Sequence, residues 1–152
     1  MNLKLRAVED RQEAMDLGEL LERATVDSTR DFAEGEPEDG AAKRFLDRHW
    51  DDPKTFLVLA EPEGETSPWG LCLTGPLEDP WTGQRSPLVL ALWVDPKIRH
   101  RGVARALVLE TRKLLADCGE KILSARVGHG DDALVSMGER WGFLRTWELI
   151  QR

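Results

Sequence analysis

The chain contains no tyrosine, only two cysteines and only three histidines among its 152 residues. Cys72 and Cys118 have neither CxxC spacing nor neighbouring histidines, so the sequence predicts two reduced thiols and no zinc site. No apolar run approaches the ~20 residues that span a bilayer, and the first residues lack the apolar stretch of a secretory signal. These absences argue against disulfide-framework, zinc and membrane-anchored proteins, and they predict a cytoplasmic location.

The sequence has fewer positive than negative charges, with 21 Lys and Arg residues against 28 Asp and Glu residues. Its net charge is -7, which argues against binding to a nucleic-acid backbone as the main activity. An acidic balance favours a cationic small molecule, although acidity also serves solubility. The length predicts one domain over residues 1–152, and a hydrophobic share of 41% is enough for a sizeable core.

Hydrophobic periodicity predicts an α/β fold in which a central mixed, twisted sheet is flanked by about four helices. The run from Leu88 to Val94 is apolar on both faces, which is typical of a central strand covered on both sides. Segments 27–40 and 75–87 are predicted loops, the first acidic and the second rich in proline and glycine. The predicted strands cover residues 3–6, 55–60, 69–74, 88–94, 122–127 and 143–150, and the predicted helices cover 14–24, 41–50, 102–117 and, after a cap at 131, 132–141.

One connection carries most of the functional information. It runs from Val94 at the end of the buried strand to Arg105 in the first turn of the long helix. Such a turn directs unpaired backbone amides and the positive end of the helix dipole at one spot, where a pyrophosphate fits. Gly102 and Ala104 leave the main chain accessible, and Arg99, Arg101 and Arg105 add positive charge.

Other interpretations of this connection are weaker but stand beside the first. Three arginines within seven residues are also typical of a solvated basic face, and His100 contributes solvent-exposed polarity alone. The GxGxxG and GxxxxGK[ST] patterns are absent, which removes the two commonest alternative phosphate loops.

The segment Arg99-x-x-Gly102-x-Ala104, preceded by a strand ending Val94-Asp95-Pro96, resembles the R/Q-x-x-G-x-G/A signature of the GNAT acetyltransferase superfamily. Trp141-Gly142-Phe143 after a helix resembles the second landmark of that family, and the predicted element order agrees over nearly the whole chain. The resemblance implies acetyl-CoA as co-substrate, no metal, and direct transfer of an acetyl group to a primary amine of a small molecule or peptide.

The resemblance also implies site residues. The fourth strand would splay from the fifth, and the backbone of Leu92, Trp93 and Val94 would pair with the pantothenate arm. Asp131 replaces the asparagine that often begins the last helix of the family, near that arm. The pyrophosphate would rest on a continuous run of residues: Arg99, His100, Arg101, Gly102, Val103, Ala104 and Arg105.

The usual acid and base of the family are missing. Gly138 stands where many members have a tyrosine, and Arg126 stands roughly where a strand glutamate often acts as base. Weak replacement candidates are His129 with Asp131 or Asp132, whose structural interpretation is a loop histidine and a capping aspartate. An enzyme without a strong base should prefer amines of lowered pKa. The alternatives are a binding module that has lost turnover and a structural domain without a ligand.

Three further predictions are open. The acidic segment 27–39 either selects a cationic acceptor or is a solvated charge run. Gly138 either opens a cavity or permits close helix packing, and Trp50, Trp69 and Trp81 either line an acceptor pocket or serve a core or dimer interface. An incomplete sheet edge after Phe143 favours pairing with a second copy, so a homodimer is predicted.

Overall fold

The computed structural model describes residues 2–29, 36–127 and 132–146. Within these ranges the chain forms a five-stranded sheet, five α-helices and one short 3-10 turn, Pro96–Ile98. The strands are β1 (Leu3–Ala7), β2 (Phe56–Pro62), β3 (Gly70–Glu78), β4 (Arg85–Val94) and β5 (Ser124–Ala125). The helices are α1 (Arg11–Asp16), α2 (Gly18–Thr29), α3 (Ala41–His49), α4 (Val103–Asp117) and α5 (Asp132–Arg140). None of these helices is long and apolar enough to cross a membrane.

The sheet has the order β1-β2-β3-β4-β5, antiparallel except for the parallel pair of β4 and β5. This confirms the predicted mixed sheet and the parallel crossover through the long helix. The β3–β4 register shifts so that Leu73 pairs with Ala91 but Thr74 pairs with Val89. Leu90 is therefore an extra residue on β4, a β-bulge that the sequence analysis missed.

Two hydrophobic clusters cover the two faces of the sheet, as the apolar run in β4 predicts. On one face, β2, β3 and β4 pack against α1, α2 and α3, with Leu21, Leu46 and Leu71 fully buried. On the other face, Val103 and Leu107 of α4 pack against the same three strands. Because α2 and α4 lie on opposite sides of β4, neighbouring residues of this strand point toward different helices.

The predicted loop at 75–87 is wrong over most of its length. β3 continues to Glu78 and β4 begins at Arg85, so that only residues 79–84 form the connection. Pro76 pairs with Pro87, which a ladder tolerates because two residues without N–H groups can face each other at a non-hydrogen-bonded position. The turn is ordered by Asp79, whose carboxylate accepts hydrogen bonds from the backbone N–H groups of Trp81 and Thr82 at 2.8 and 2.9 Å.

The first predicted helix is divided into α1 and α2 at Leu17, which accounts for five helices instead of about four. Gly18 begins α2 next to the side chain of Lys43. A Cβ built at Gly18 would lie 2.2 Å from Lys43 Cε, so any larger residue here would require the Lys43 side chain to move. The predicted strand at 122–127 is shortened to Ser124–Ala125. Residues 143–146 are not in a strand, and the rest of the predicted closing strand lies outside the described residues.

Candidate functional site

The side of β4 that faces β5 is unpaired beyond Val89 among the described residues, and this unpaired side is called the gap beside β4. β5 pairs with β4 only at Leu88 and Val89, whereas β3 pairs with β4 as far as Val94. Within the described ranges, the segment from Ala91 to Val94 therefore has no ladder partner on its β5 side. Backbone N–H and C=O groups on an unpaired strand edge can form hydrogen bonds with an extended ligand. The predicted pairing of Leu92, Trp93 and Val94 with a pantothenate arm requires this geometry.

A tight turn links this edge to α4. The Asp95 carboxylate accepts a hydrogen bond from the Lys97 N–H at 2.9 Å and begins the 3-10 turn. His100 and Gly102 then adopt left-handed conformations, with φ of 67° and 81°. Such a conformation costs a non-glycine residue roughly 1–2 kcal/mol, so His100 marks a locally strained position. Left-handed residues in turns are typical of backbone concavities that bind anions.

The turn ends at the N-terminus of α4. Gly102 is the N-cap and makes no side-chain capping bond, and the first backbone bond of the helix runs from the Ala106 N–H to the Gly102 carbonyl at 3.0 Å. The N–H groups of Val103, Ala104 and Arg105 precede that bond, so they have no intrahelical acceptor. Free N–H groups at a helix N-terminus, together with the helix dipole, can bind an anion, and this position is called the anion site below.

Gly70 holds this helix end close to the sheet. A Cβ built there would lie 2.7 Å from the Trp93 carbonyl oxygen, 3.0 Å from Leu107 Cδ1 and 3.3 Å from Val103 Cγ1. A larger residue would push the first turns of α4 away from the strand. The glycine therefore sets the distance between the free edge of β4 and the anion site.

Three exposed arginines surround the turn, but only Arg99 has defined contacts. Its Nε donates to the Val94 carbonyl oxygen at 3.2 Å, and its Nη2 lies 3.8 Å from Asp27 Oδ2. Asp27 belongs to α2 and not to a loop, as the sequence analysis assumed. Arg99 thus bridges the end of β4 to the last turn of α2 while keeping about half of its side chain exposed.

The side chains of the free edge alternate between two environments. Leu92 and Val94 belong to the cluster on the α4 face, whereas Trp93 belongs to the cluster with Leu21 and Ala24 of α2. Trp93 is only 4% exposed, and its Nε1 has no hydrogen-bond partner among the described residues. A buried unpaired donor is uncommon, because desolvation without a partner costs about 1–3 kcal/mol.

The weak catalytic candidates gain little support. His129 and Asp131 lie outside the described residues, and Asp132 is an exposed residue in the first turn of α5. Arg126 is exposed beyond the end of β5. Among the described residues, a Cβ built at Gly138 would meet only Phe143 Cβ at 3.9 Å, so close packing within this part of the chain does not explain the glycine.

The remaining predictions are resolved in part. The central part of the acidic segment, residues 30–35, lies outside the described ranges. Trp81 is 93% exposed at the hairpin tip and Trp50 packs against the core, so neither lines the gap beside β4. Trp69 Nε1 donates to Glu65 at 3.0 Å beside a depression near Asn2, and the Trp69 carbonyl accepts from the Asp95 N–H at 2.8 Å, so Trp69 lies on the β3 side of β4 and not on its unpaired side. Among the described residues, no group of three metal-ligating side chains could hold an ion.

Sequence reasoning missed the Arg99–Asp27 contact, the bulge at Leu90 and the buried indole N–H. Of these three features, only the buried indole was indicated by the sequence, because strand periodicity places Trp93 on the opposite face from Leu92 and Val94. The contact of Asp27 joins residues that are far apart in sequence. The bulge depends on the pairing register, which composition does not reveal.

Comparison with known proteins identifies the family of this fold. The model of the Acetyltransferase (GNAT) family matches residues 20–143. A search of curated proteins returned no match. Among solved structures, a GCN5-related N-acetyltransferase from Ralstonia eutropha JMP134 is 20% identical, with a TM-score of 0.73 and coverage of 99% of this chain and 98% of that one.

Two further solved structures share the fold. The aminoglycoside N-acetyltransferase AAC(6')-Iy, bound to a bisubstrate analogue of CoA, has a TM-score of 0.70 at 15% identity, covering 100% of this chain and 97% of its own. A ribosomal-protein-alanine N-acetyltransferase from Brucella melitensis biovar Abortus 2308 has a TM-score of 0.69 at 18% identity, covering 100% and 97%. The family match spans most of the sequence, including the turn before α4 and the Trp-Gly-Phe segment, and the chain therefore belongs to the GNAT acetyltransferase family.

Proposed function

We propose that this protein transfers an acetyl group from acetyl-CoA to a primary amine of a small molecule or peptide. The observation that carries the proposal is the uncapped N-terminus of α4 beside the unpaired edge of β4. The pyrophosphate of CoA would accept hydrogen bonds from the amides at Arg99–Arg105, and the pantetheine arm would pair with Leu92–Val94. AAC(6')-Iy, which has the same fold, has been solved with a CoA bisubstrate analogue, and this supports the assignment.

The proposed reaction proceeds by direct attack in a ternary complex. The amine nitrogen forms a bond to the thioester carbonyl carbon, the carbon–sulfur bond breaks, and the amine proton is passed to solvent or to the departing thiolate. Holding amine and thioester together can contribute roughly 7–11 kcal/mol to the barrier reduction. A positioned acid or base is typically worth about 10²–10⁴ in rate. This chain has Gly138 in place of the usual tyrosine acid and Arg126 in place of the usual glutamate base, so it would be a slower enzyme. His129 and Asp131 are the proposed replacements for these groups.

The same argument predicts which amines react. At pH 7 a lysine-type amine with pKa near 10.4 is neutral in about one molecule in two thousand, a penalty of about 4–5 kcal/mol. An α-amine with pKa near 7.7–8 loses only about 1 kcal/mol. Without a strong base, the protein should favour N-terminal or amino-sugar nitrogens. Two proteins of the same fold are named as an aminoglycoside N-acetyltransferase and a ribosomal-protein-alanine N-acetyltransferase.

The experiment combines two measurements. Thermal unfolding with and without CoA tests binding, since a ligand that binds only the folded state raises the melting temperature. Free-thiol release from acetyl-CoA across amines of graded pKa tests turnover, and rates should rise as the amine pKa falls. Stabilisation by CoA without thiol release for any amine would instead favour an acyl-CoA-binding sensor or partner module. A flat melting temperature at millimolar CoA would overturn both.

The remaining parts of the proposal follow from the sequence. Residues 1–152 form one acyltransferase domain, located in the cytoplasm, which pairs as a homodimer. Size-exclusion chromatography with light scattering tests the pairing, and a monomer at micromolar concentration would contradict it.

A further inference from the structure

We infer that two copies of this chain associate at one end of the sheet, where Trp81 of each copy inserts into a groove between α4 and residues 119–123 of the other. The inference rests on the homodimer of the proposed function and assigns its surface. It begins from Trp81, which has the most exposed large apolar side chain among the described residues and takes no part in the site beside β4.

Trp81 lies at the tip of an arm that projects from the sheet. β2 pairs with β3 only as far as Thr74, and β5 pairs with β4 only at Leu88 and Val89. Beyond these positions the β3–β4 hairpin is a two-stranded ribbon, which no other strand of the described chain flanks, and its residues 77–85 are exposed. A ribbon of two strands is marginally stable in water, so contact with a second surface would stabilise the arm.

The turn at the tip fixes the backbone around Trp81. The Asp79 N–H donates to the Gln84 carbonyl, and the Gly83 N–H donates to the Asp79 carbonyl, both at 2.8 Å. The Asp79 carboxylate accepts from the N–H groups of Trp81 and Thr82, yet the indole stays 93% exposed. An aromatic side chain on a preformed turn loses little conformational entropy on binding, which is typical of an interface anchor.

A groove of about 590 Å³ lies between the last turns of α4 and the segment that leads to β5. Its lining includes Leu115 and Leu123, together with Leu109 and Ile122, which are 40% and 63% exposed. Large apolar side chains that share one exposed surface are typical of an interaction site. The volume lies within the range of ligand pockets, so the groove can accept an indole ring.

The arm and the groove lie at the same end of the sheet. β4 and β5 are parallel, and Leu88 pairs with Ser124. Trp81 precedes Leu88 in the chain, and the groove residues 119–123 precede Ser124, so both features extend beyond the same strand ends. Each copy therefore presents an indole beside a groove, and a two-fold axis lets both contacts form at once. Such an interface closes as a dimer and does not grow into a filament.

The arm and the groove also carry opposite charges. Two carboxylates, Glu78 and Asp79, lie at the tip of the arm, and three cations line the groove: Arg112, Lys113 and Lys121. Complementary charges attract the correct partner and orient it during association. Because the net charge of the chain is -7, two copies repel one another except where a basic surface of one meets an acidic surface of the other.

The other charged groups at this end are bonded within one copy. Arg85, which pairs with Glu78 in the ladder, forms an ion pair with Asp52, and Glu120 at the groove forms one with Lys54. The arm thus remains negative and the groove positive. A second copy of the chain is the occupant that these features favour, because one sequence carries both complementary halves.

The first measurement is the dimer Kd by analytical ultracentrifugation over a range of micromolar concentrations. Trp81→Ser should raise this Kd by at least about 30-fold, as removal of an aromatic anchor does at other interfaces. The variant should unfold at the same denaturant concentration as the parent when both are monomeric, because the indole is exposed in the single copy. Val127→Ser is the matched control: it removes an apolar side chain that is 38% exposed beyond the other end of β5, and it should leave the Kd unchanged.

The second measurement mixes two variants to test direct contact between the arm and the groove. Ile122→Asp places a charge in the groove and should also make the chain monomeric, and Leu109→Asp replaces it if the first variant does not fold. Mixed with Trp81→Ser, the intact indole of one variant can enter the intact groove of the other. The remaining contact loses nothing further, because both substitutions remove the same interaction. We therefore expect heterodimers at concentrations where each variant alone is monomeric.

The outcomes distinguish this inference from the proposed function. A parent dimer that Trp81→Ser leaves intact, or a mixture that stays monomeric, would refute the contact between arm and groove while the homodimer stands. Open-ended assemblies of the parent would refute the two-fold exchange, and a monomeric parent would refute the homodimer as well. CoA binding and thiol release are measured separately, so they decide the proposed acetyl transfer in every case.

Discussion

A glycine with positive φ lies at each end of α4, but the backbone hydrogen bonding differs between the two ends. Gly102 at the start and Gly119 after the end both have positive φ, 81° and 85°. After the end, the Gly119 N–H donates to the Ala116 carbonyl and the Glu120 N–H donates to the Leu115 carbonyl, both at 2.9 Å. The C-terminus is thus closed by its own backbone, in the Schellman pattern.

The N-terminus is left open. Gly102 makes no side-chain capping bond. A glycine at the N-cap is only a few tenths of a kcal/mol less stabilising than a capping side chain, so the open end costs little stability. The comparison shows that the N–H groups remain free at the end of the helix beside the unpaired side of β4, which is where the proposed function requires them.

The strongest test exchanges both glycines for alanine separately. A Cβ at either position meets nothing within 4 Å, so Gly102→Ala and Gly119→Ala share one backbone penalty of roughly 1–2 kcal/mol. Chemical denaturation should show that similar loss in both. CoA affinity, measured by calorimetry, should fall about 30-fold in Gly102→Ala alone, because its Cβ and altered turn obstruct the phosphates. Equal affinities in the two variants would remove the functional difference between the helix ends.

A smaller effect is expected from the arginines beside each end. Arg99→Gln should weaken CoA binding about tenfold, an effect that shrinks as salt is added, because its exposed guanidinium adds charge beside the anion site. Arg112→Gln is the matched control, since Arg112 Nη1 donates to the Trp141 carbonyl at 3.0 Å and has no role at the open end. This control should change stability by less than about 1 kcal/mol and leave CoA affinity unaltered. A salt-independent loss in Arg99→Gln would point to a structural role for Arg99.

The interface between α4 and the sheet should exclude water. Cys72 lies fully buried in the cluster beneath Val103 and Leu107, and burial raises the pKa of its thiol from 9.0 to about 11. The folded protein therefore keeps this proton at pH values where the unfolded chain releases it. The free energy of unfolding should be unaffected below pH 9 and fall between pH 9 and 11, by on the order of 1–2 kcal/mol. Denaturation curves of Cys72→Ala should lack this component, and an identical pH dependence in both proteins would contradict a dry interface.

Much of the framework could be predicted from local patterns. The run from Leu88 to Val94 predicts a central strand because both of its faces are apolar, and the glycine at 119 predicts the end of α4 because few other residues adopt positive φ. These features depend on residues close in sequence, so they can be predicted without a structure. The turn from Asp95 to Gly102 belongs to the same class.

Features that depend on pairing across the sheet could not be predicted. Pro76 and Pro87 suggest a loop when considered singly, and only their mutual pairing explains why the hairpin extends past them. The unpaired state of Trp93 Nε1 is a property of everything that surrounds it in space. The same holds for Asp27, which the charge pattern of segment 27–39 placed in a loop.

The extra residue at Leu90 has a consequence for how this sequence can change. Leu90 and Ala91 both pack on the α2 face, whereas Val89 before them and Leu92 after them pack on the α4 face. The bulge thus absorbs the extra residue and keeps Trp93 opposite Leu71 on the α2 face. Loss of Leu90 would make β4 a regular strand with the same side chains on each face, whereas loss of a residue without a bulge to absorb it would reverse the faces of all residues that follow.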